Sequence, residues 1–509
     1  MKGKSILSDR YFQFLIIIAV IFIGYWSWFG NYEYTHYLDG YYDIGIETYS
    51  TYWHLHPMAE SLLQYLVFGN HIAPFRVLLL PIFAIYQQPV TLFAIQASAL
   101  ALAALFTYVI CIEITKSKKI GAAIAIAFML NPGVGGLLIF DFHSEAFLPL
   151  FYIMAFYFYI KNKKPYFILS YLLLMGVMEE SPFLGASLLL GLFVYEVFHG
   201  NATEESRARK GLLYYGVVFT LLFAAGYYAA GNYLVSSYSN AAQSSVPPIL
   251  RYGNFLNHEG GMLSASGSAY YNTTEVYYAG IAGLFVLFLG FGITSLRNPF
   301  LSVVLYSPWI LQVFMLHDLV AAIFYFQYYA YAVGGSFVSA MLGFMILSKR
   351  SESFCHGHHS GFETNETFYS AFIFSMAIML SLILVSNIFG SALIVIKSGT
   401  TNYNIAESAL SLIPANSSVM TETAIAAHLF YIKDLELLPS YYDPSPFVPK
   451  NRVIYWFKPE YIVVDSNLPN YEDATNSSLF NLNSYTVENY TVYYNRSGVT
   501  IFKRKYVAN

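Results

Sequence analysis

Acidic and imidazole side chains cluster in one short stretch of an otherwise apolar chain. Residues 31–71 contain Asp39, Asp43, Glu47, His54, His56, Glu60 and His71. A carboxylate beside a membrane can take a proton from an attacking hydroxyl or bind a divalent cation, and ionisable groups placed there mark a functional site by default. The plainer alternatives are that Asp43 caps a loop and that His54 and His56, at alternate positions, are solvated.

Further polar groups stand at the ends of apolar runs. They occur in FDFHSE (140–145), which holds Asp141, His143 and Glu145, in the pair Glu179 and Glu180, and in the pair His317 and Asp318. We expect these groups to converge with the 31–71 stretch on one outward cavity. The alternatives are a solvated turn for FDFHSE and, for Glu179 and Glu180, an acid pair that favours the start of the next helix.

Motifs of other chemistries are missing from the sequence. His356, His358 and His359 follow Cys355, but we interpret this patch as a linker because no other ligands accompany it. We find no Ser-His-Asp signature, Walker-type glycine loop or dinucleotide fingerprint, so no nucleotide cofactor is expected.

The composition is that of a membrane protein. Of the 509 residues, 57% are hydrophobic and only 11% are charged, whereas soluble domains are about 25% charged. The net charge of −4 comes without a basic stripe, so no nucleic-acid partner is expected. The fold class that we predict is an α-helical polytopic membrane protein with a small α/β domain at its C-terminus.

Lysine and arginine positions predict the topology. Lys2, Lys4 and Arg10 precede the first apolar run, which we interpret as an uncleaved signal anchor with the N-terminus in the cytoplasm. Keeping the later basic loops in the cytoplasm predicts eleven spans and an outer C-terminus. The spans cover about 12–29, 89–112, 120–140, 146–160, 165–178, 181–198, 211–230, 276–295, 299–316, 319–347 and 368–397.

The remaining segments form loops and a tail. The membrane bundle covers residues 1–397, with a first outer loop at 30–88, an outer loop at 231–275 and a cytoplasmic loop at 348–367. Residues 73–86 are short and carry Arg76 and two prolines, and predict a helix that lies at the outer surface or is re-entrant; residues 61–68 predict a second juxtamembrane helix in the same loop. The tail, 398–509, predicts a soluble extracytoplasmic domain with strands at 417–423, 435–440 and 459–466, a helix at 424–431 and a hairpin at 486–505.

Four motifs resemble those of a known family. YDIG (42–45), NHIAPF (70–75), FDFHSE (140–145) and EES (179–181) are similar, in order and spacing, to an uncharacterised family of multispan membrane proteins, domain of unknown function 2079. The tail is similar to that of archaeal members. This chain has Met178-Glu179-Glu180 where the family usually has Lys-Glu-Asp, and Gln327-Tyr328 where it usually has His-Tyr, so the roles of that lysine and that imidazole do not carry over.

The layout also resembles C-type integral-membrane glycosyltransferases. The resemblance implies a polyprenyl-phosphate sugar donor, a glycan, lipid or protein acceptor, and a plasma-membrane location. It places Asp43 at the key acid, as general base or metal-binding group, with Asp39 as a substitute. Arg76, or else Arg251, would balance the charge of the leaving phosphate. The supporting residues are Glu47, His71, Asp141, His143, Glu145, Glu179 and Glu180, and Mg²⁺ or Mn²⁺ would take ligands from Asp43, Asp141 and His143.

Two other classes stay open at this point. Acids in a helical bundle also mark a transporter or flippase of lipid-linked or polar substrates. A non-catalytic glycan- or lipid-binding protein would use the same pocket without chemistry. An Asp43→Asn substitution separates the three, because it abolishes transfer in an enzyme, alters coupling in a carrier and leaves a scaffold unchanged.

Overall fold

The structure, a computed structural model, is mostly helical. It describes residues 6–38, 44–56, 67–68, 71–139, 141–200, 203–242, 273–289, 291, 293–315, 322, 327–354, 403–438, 458–468, 471, 475 and 481–505. The predicted site residues Asp39 and Asp43, the pair His317 and Asp318, Arg251 and the span predicted at 368–397 lie outside these ranges.

Long apolar helices dominate the bundle. Within the described ranges, five are long and apolar enough to cross a membrane: Arg10–Thr35, Pro89–Thr115, Lys118–Ile139, Ser181–His199 and Ser206–Tyr227. Each approaches or exceeds the roughly 20 residues that span a hydrocarbon core. The prediction of a helical membrane protein is therefore confirmed. The count of eleven spans stays a prediction, because the other described apolar helices are shorter.

The elements follow in chain order. The helices up to the middle of the chain are α1 (Arg10–Thr35), α2 (Ile46–His54), α3 (Leu80–Phe83), α4 (Pro89–Thr115), α5 (Lys118–Met129), α6 (Pro132–Ile139), α7 (Leu148–Ile160), α8 (Lys164–Met175), α9 (Ser181–His199) and α10 (Glu204–Ala242). Those that follow are α11 (Thr273–Leu289), α12 (Pro299–Ile310), α13 (Ala330–Phe354), α14 (Tyr403–Leu410), α15 (Thr423–His428) and α16 (Leu482–Asn489). The strands are β1 (Val67–Phe68), β2 (His71–Ile72), β3 (Ser418–Thr421), β4 (Asp434–Leu437), β5 (Tyr461–Asp465), β6 (Tyr490–Arg496) and β7 (Val499–Arg504).

The chain forms two compact units. The first contains Met1–Trp26, Leu66–Leu78 and Ala94–Ser391, and the second contains Ser27–Tyr65, Leu79–Phe93 and Ala392–Asn509. In the first unit, helices approach closely where side chains are small. At Gly335 in α13, a Cβ atom would lie 2.6 Å from the Leu305 carbonyl oxygen of α12. Small residues of this kind let helix backbones pack together in a membrane.

A proline breaks one apolar run. The run predicted as a span at 120–140 divides into α5 and α6, because Pro132 has no N–H to continue the first helix. The Asn131 side chain accepts a hydrogen bond from Gly133 N at 2.8 Å and starts the second helix. The segment predicted as a surface helix at 73–86 is also helical, as a 3₁₀ turn at Pro74–Leu78 followed by α3. The helix predicted at 61–68 is wrong at its end, since Val67 and Phe68, its described residues, form β1.

The tail contains the predicted sheet. Its five strands are ordered β4-β3-β5-β7-β6, with β3 parallel to β4 and β5, and β7 antiparallel to β5 and β6. The predicted strands and the helix between β3 and β4 are confirmed. The hairpin turns at Ser497 and Gly498, whose φ angles of 52° and 91° suit a two-residue turn between antiparallel strands.

The start of the predicted hairpin is wrong. Residues 486–489 belong to α16 instead of a strand. The Asn481 side chain accepts a hydrogen bond from Ser484 N at 2.9 Å and caps this helix. Such a cap satisfies an N–H group that has no partner inside the helix. The first strand of the hairpin therefore begins only at Tyr490.

Candidate functional site

Three of the four sequence motifs meet in the first unit. Phe75 of NHIAPF donates its backbone N–H to the Gly176 carbonyl at 3.0 Å, just before Glu179 and Glu180. The Phe75 ring also packs on Phe147, with 4.7 Å between ring centroids, next to FDFHSE. These contacts join segments that lie up to about a hundred residues apart in the sequence. The side chain of His71 is not described, although its backbone forms part of β2.

Glu179 fastens the β1–β2 hairpin. Its side chain is only 4% exposed, and its Oε2 accepts the backbone N–H of Ile72 at 3.0 Å. The hydroxyl of Tyr227 in α10 donates to the Ile72 carbonyl at 3.2 Å. Both backbone groups of Ile72 are therefore held by side chains, and Glu179 has a positioning role here.

Glu180 is held from another helix. Tyr331 of α13 is buried and donates its hydroxyl to Glu180 Oε2 at 3.0 Å. The two consecutive acids thus contact different elements, with Glu179 bound to the hairpin and Glu180 to α13. The turn that carries them precedes Ser181 and Pro182, where α9 begins. Proline favours that position because a helix has no partner for its first N–H groups.

Gln96 shapes the FDFHSE segment. This α4 side chain is 1% exposed, and its Oε1 accepts the backbone N–H of His143 at 2.9 Å. Its Nε2 donates to the Leu137 carbonyl and lies 3.5 Å from the Asp141 carbonyl. A single amide thus ties the end of α6 to the segment that carries His143.

The ring of His143 has a defined tautomer. Its Nδ1 lies 3.0 Å from the Asp141 carbonyl oxygen. A carbonyl only accepts, so Nδ1 carries a proton and the lone pair of the neutral ring is on Nε2. Such a ring can accept a proton or a metal ion through Nε2. Asp141 and His143 are both half-buried.

Most of the chain matches the model of one protein family. The model of a predicted membrane protein family, DUF2079, matches residues 40–501. The chain belongs to this family. No curated protein matches the chain. All four motifs lie within the match, and the family description gives a membrane location and no activity.

Three charged side chains in or next to the DUF2079 motifs of this chain are buried. Arg76, Glu145 and Glu179 are 1%, 3% and 4% exposed. Removing charged groups from water costs several kcal/mol each unless other charges or hydrogen bonds compensate. The three side chains stand on the segments that the phenylalanine and hairpin contacts join, so one cation and two acids occupy the same part of the unit.

The described residues do not complete a metal site. Among them, no group of three or more His, Cys, Asp or Glu side chains is placed to hold a metal ion. Asp141 and His143 are the two predicted ligands within the described ranges, and the third, Asp43, lies outside them. Glu47 lies in α2 of the second unit and is half-buried.

The sequence interpretation missed three residues that shape this region. Gln96 is a lone amide in an apolar helix. Because burying an amide costs free energy unless it is hydrogen-bonded, the sequence could have indicated that Gln96 has a structural partner. Tyr227 and Tyr331 gave no signal, because the chain has 47 tyrosines and most of them suit membrane interfaces as well.

Proposed function

We propose that this DUF2079 protein is a membrane glycosyltransferase that moves a sugar from a polyprenyl phosphate to an acceptor on the outer face. The observation that carries the proposal is the burial of Arg76, Glu145 and Glu179 on segments that contact one another. A guanidinium suits the phosphate of a lipid-linked donor because it presents several N–H donors in a planar fork. The layout that resembles C-type glycosyltransferases supports the same activity.

The reaction needs one carboxylate and one cation. Asp43 takes the proton of the acceptor hydroxyl while its oxygen forms a bond to the anomeric carbon. The bond from that carbon to the phosphate oxygen breaks, and the polyprenyl phosphate leaves with the bonding electron pair. Arg76 stabilises the negative charge that develops on this phosphate. Asp39 is the substitute base in this proposal.

The other residues would orient the substrates. Glu179 holds the hairpin, Glu180 holds α13, and Gln96 holds the FDFHSE backbone. His143 and Glu145 would bind acceptor hydroxyls, with Glu47 and His71 as further candidates. Asp43, Asp141 and His143 would hold a divalent cation, Mg²⁺ or Mn²⁺, which would supply positive charge at the leaving phosphate. We propose a plasma-membrane protein with a cytoplasmic N-terminus and an extracytoplasmic tail.

A transfer assay tests the proposal. The full-length protein in nanodiscs would receive fluorescent polyprenyl-phosphate mannose or glucose, with hydroxyl acceptors from the host envelope, and the released polyprenyl phosphate would be measured. We expect release with wild type and a loss of about a hundred-fold or more in Asp43→Asn, in line with the contribution of a general base. Asp434→Asn, an exposed acid in β4, is the matched control. The absence of release with either sugar and every acceptor would contradict the proposal.

Interrupted helices favour one competing function. The run of α5 and α6 breaks at Asn131, and a π-helical segment at Leu311–Met315 follows α12. Helix breaks near buried acids also occur in carriers of ions and polar substrates. Flip of a fluorescent donor across liposomes without consumption of its phosphate bond would favour the transporter or flippase. Donor binding with neither flip nor release would favour a non-catalytic binding protein.

A further inference from the structure

His428 in the tail is stacked between two tyrosines. In the second unit, its ring lies against Tyr34, at 4.1 Å between centroids and 11° between planes, and against Tyr37, at 4.0 Å and 14°. The histidine is only 4% exposed. It is the last residue of α15, whereas Tyr34 and Tyr37 lie at and just beyond the end of α1. Nearly four hundred residues of sequence separate the partners.

Both ring nitrogens of His428 face acceptors. Nε2 lies 3.0 Å from the Tyr34 carbonyl oxygen, and Nδ1 lies 2.6 Å from Glu407 Oε1 in α14. The carbonyl only accepts, so Nε2 donates. Nδ1 shares a second hydrogen bond with Glu407 Oε1. Stacking between two tyrosine faces adds to these hydrogen bonds.

Tyr37 closes the same network. Its hydroxyl donates to Glu407 Oε1 at 3.2 Å. Burial, together with the charge of Glu407, raises the pKa of Tyr37 far above its ordinary value, so this hydroxyl keeps its proton and remains a donor. Glu407 is therefore hydrogen-bonded to both Tyr37 and His428.

A second set of contacts holds α2 to the chain just beyond α15. Trp53 donates its indole N–H to the Phe430 carbonyl at 3.0 Å, and Tyr49 donates its hydroxyl to the Lys433 carbonyl at 2.6 Å. The Tyr52 ring packs edge-on against Phe430, with 5.3 Å between centroids. All of these partners belong to the second unit.

We infer that Glu407, His428, Phe430 and Lys433, here called the tail clasp, hold the chain on both sides of the residues that carry Asp39 and Asp43. In the sequence, Asp43 stands six residues after Tyr37 and six before Tyr49. Holding both flanks of a short stretch lowers the conformational entropy that it must lose to position a reacting group. His428 is accordingly a positioning residue for the transfer reaction, and this last step rests on the proposed function.

Hydrogen exchange tests the clasp without any assay of activity. In the full-length protein in nanodiscs, His428→Gln should speed amide exchange of residues 34–37 and of α2 by about ten-fold, as expected when buried hydrogen bonds are lost. His36→Gln is the matched control, because His36 also stacks on a tyrosine, Tyr32, at 3.8 Å and contacts the Tyr32 carbonyl. We expect it to leave α2 unchanged. Unchanged exchange in His428→Gln would overturn the clasp.

A second variant covers the case in which His428→Gln unfolds the tail. Amides of β5 report whether the sheet is intact. If they also lose protection, Trp53→Phe is measured instead, because it keeps an aromatic ring and removes the N–H that donates to Phe430. We expect about three-fold faster exchange in α2 with β5 unchanged, the effect of one net hydrogen bond. Unchanged exchange of α2 in Trp53→Phe would overturn the clasp.

Kinetics test the positioning role. His428→Gln should lower kcat for release of polyprenyl phosphate by about ten-fold or more with a KM for the donor close to wild type, the pattern of a misplaced catalytic group. A higher KM with unchanged kcat, or no change in either, would overturn the positioning role. If wild type releases no phosphate, the proposed function fails, and the exchange experiment alone still decides the clasp.

Discussion

Two buried glutamates make nearly the same contact in different regions of the molecule. Glu179 of the first unit is 4% exposed and accepts the Ile72 N–H at 3.0 Å. Glu422 of the tail is 1% exposed and accepts the Asp465 N–H at 2.7 Å. Glu179 stands in a motif that contacts Ile72, on the segment that leads to the buried Arg76. Glu422 follows β3, beside a second buried acid at the end of β5.

The surroundings decide what each acid can do. Burial, and then the charge of Asp465, raise the pKa of Glu422 to about 8, although the hydrogen bond from the Asp465 N–H opposes this shift. Glu422 therefore keeps its proton at neutral pH and joins two strand ends. The comparison teaches that burial alone does not mark a catalytic acid, and that the segments meeting around Glu179 give it a stronger claim to a functional region.

The largest predicted effect is a pH dependence of the tail. An unfolded glutamate ionises near pH 4.5, whereas folded Glu422 does so only near 8. The folded state binds more protons between these values, so stability is full below the lower value and falls as pH rises through the upper one. We expect wild type to lose about 5 kcal/mol more than Glu422→Gln as the pH rises through this window. The measurement is exchange of the β5 amides in denaturant at several pH values.

An exposed acid gives the control for that series. Glu436→Gln changes a solvent-facing glutamate of β4. The stability of this variant should fall with pH as steeply as that of wild type. If the stability of Glu422→Gln and of wild type fell equally with pH, Glu422 would be ionised in the folded tail. Its protonation would then no longer distinguish it from Glu179.

The next effect concerns the hairpin. Glu179→Ala leaves the buried Ile72 N–H without its acceptor and should destabilise the hairpin by about 2 kcal/mol, whereas Glu179→Gln keeps an amide oxygen and should cost less. Exchange of the Ile72 amide measures both, with Glu275→Gln on exposed α11 surface as the control. Equal losses in the alanine and glutamine variants would mean that Glu179 acts through its charge.

The smallest effects belong to two tyrosines. Tyr227→Phe removes the donor to the Ile72 carbonyl, and Tyr331→Phe removes the donor to Glu180. Each should lower stability by about 1 kcal/mol, the net value of a neutral hydrogen bond or slightly more. Thermal unfolding in nanodiscs is the measurement, and Tyr278→Phe, 71% exposed, is the control. A tyrosine variant as stable as this control would mean that its hydroxyl adds nothing to the motif cluster.

Sequence patterns predicted the strands and turns whose formation depends on neighbouring residues. The strands β3 and β5 follow from runs of β-branched and aromatic residues, and the turn at Gly498 follows from its tolerance of positive φ. The start of α16 was missed because one side chain, Asn481, decides between helix and strand there.

Contacts between distant segments could not be predicted from one sequence. Glu179 was predicted as a site residue. Its hydrogen bond to Ile72 could not be predicted, because 107 positions separate the two residues and no local sequence pattern indicates the contact. The stacking of His428 between Tyr34 and Tyr37 crosses nearly four hundred positions. The proposed roles of Asp39 and Asp43 stay predictions, since the structure does not describe those residues.

The most direct measurement is an electron cryomicroscopy structure of the full-length protein in nanodiscs with a polyprenyl-phosphate sugar bound. We predict that the donor phosphate lies about 3 Å from the Arg76 guanidinium, the length of a charge-assisted hydrogen bond, with the Asp43 carboxylate on the sugar side of the anomeric carbon. A phosphate bound more than about 10 Å from Arg76, beyond the range of unscreened attraction, would contradict the transferase account.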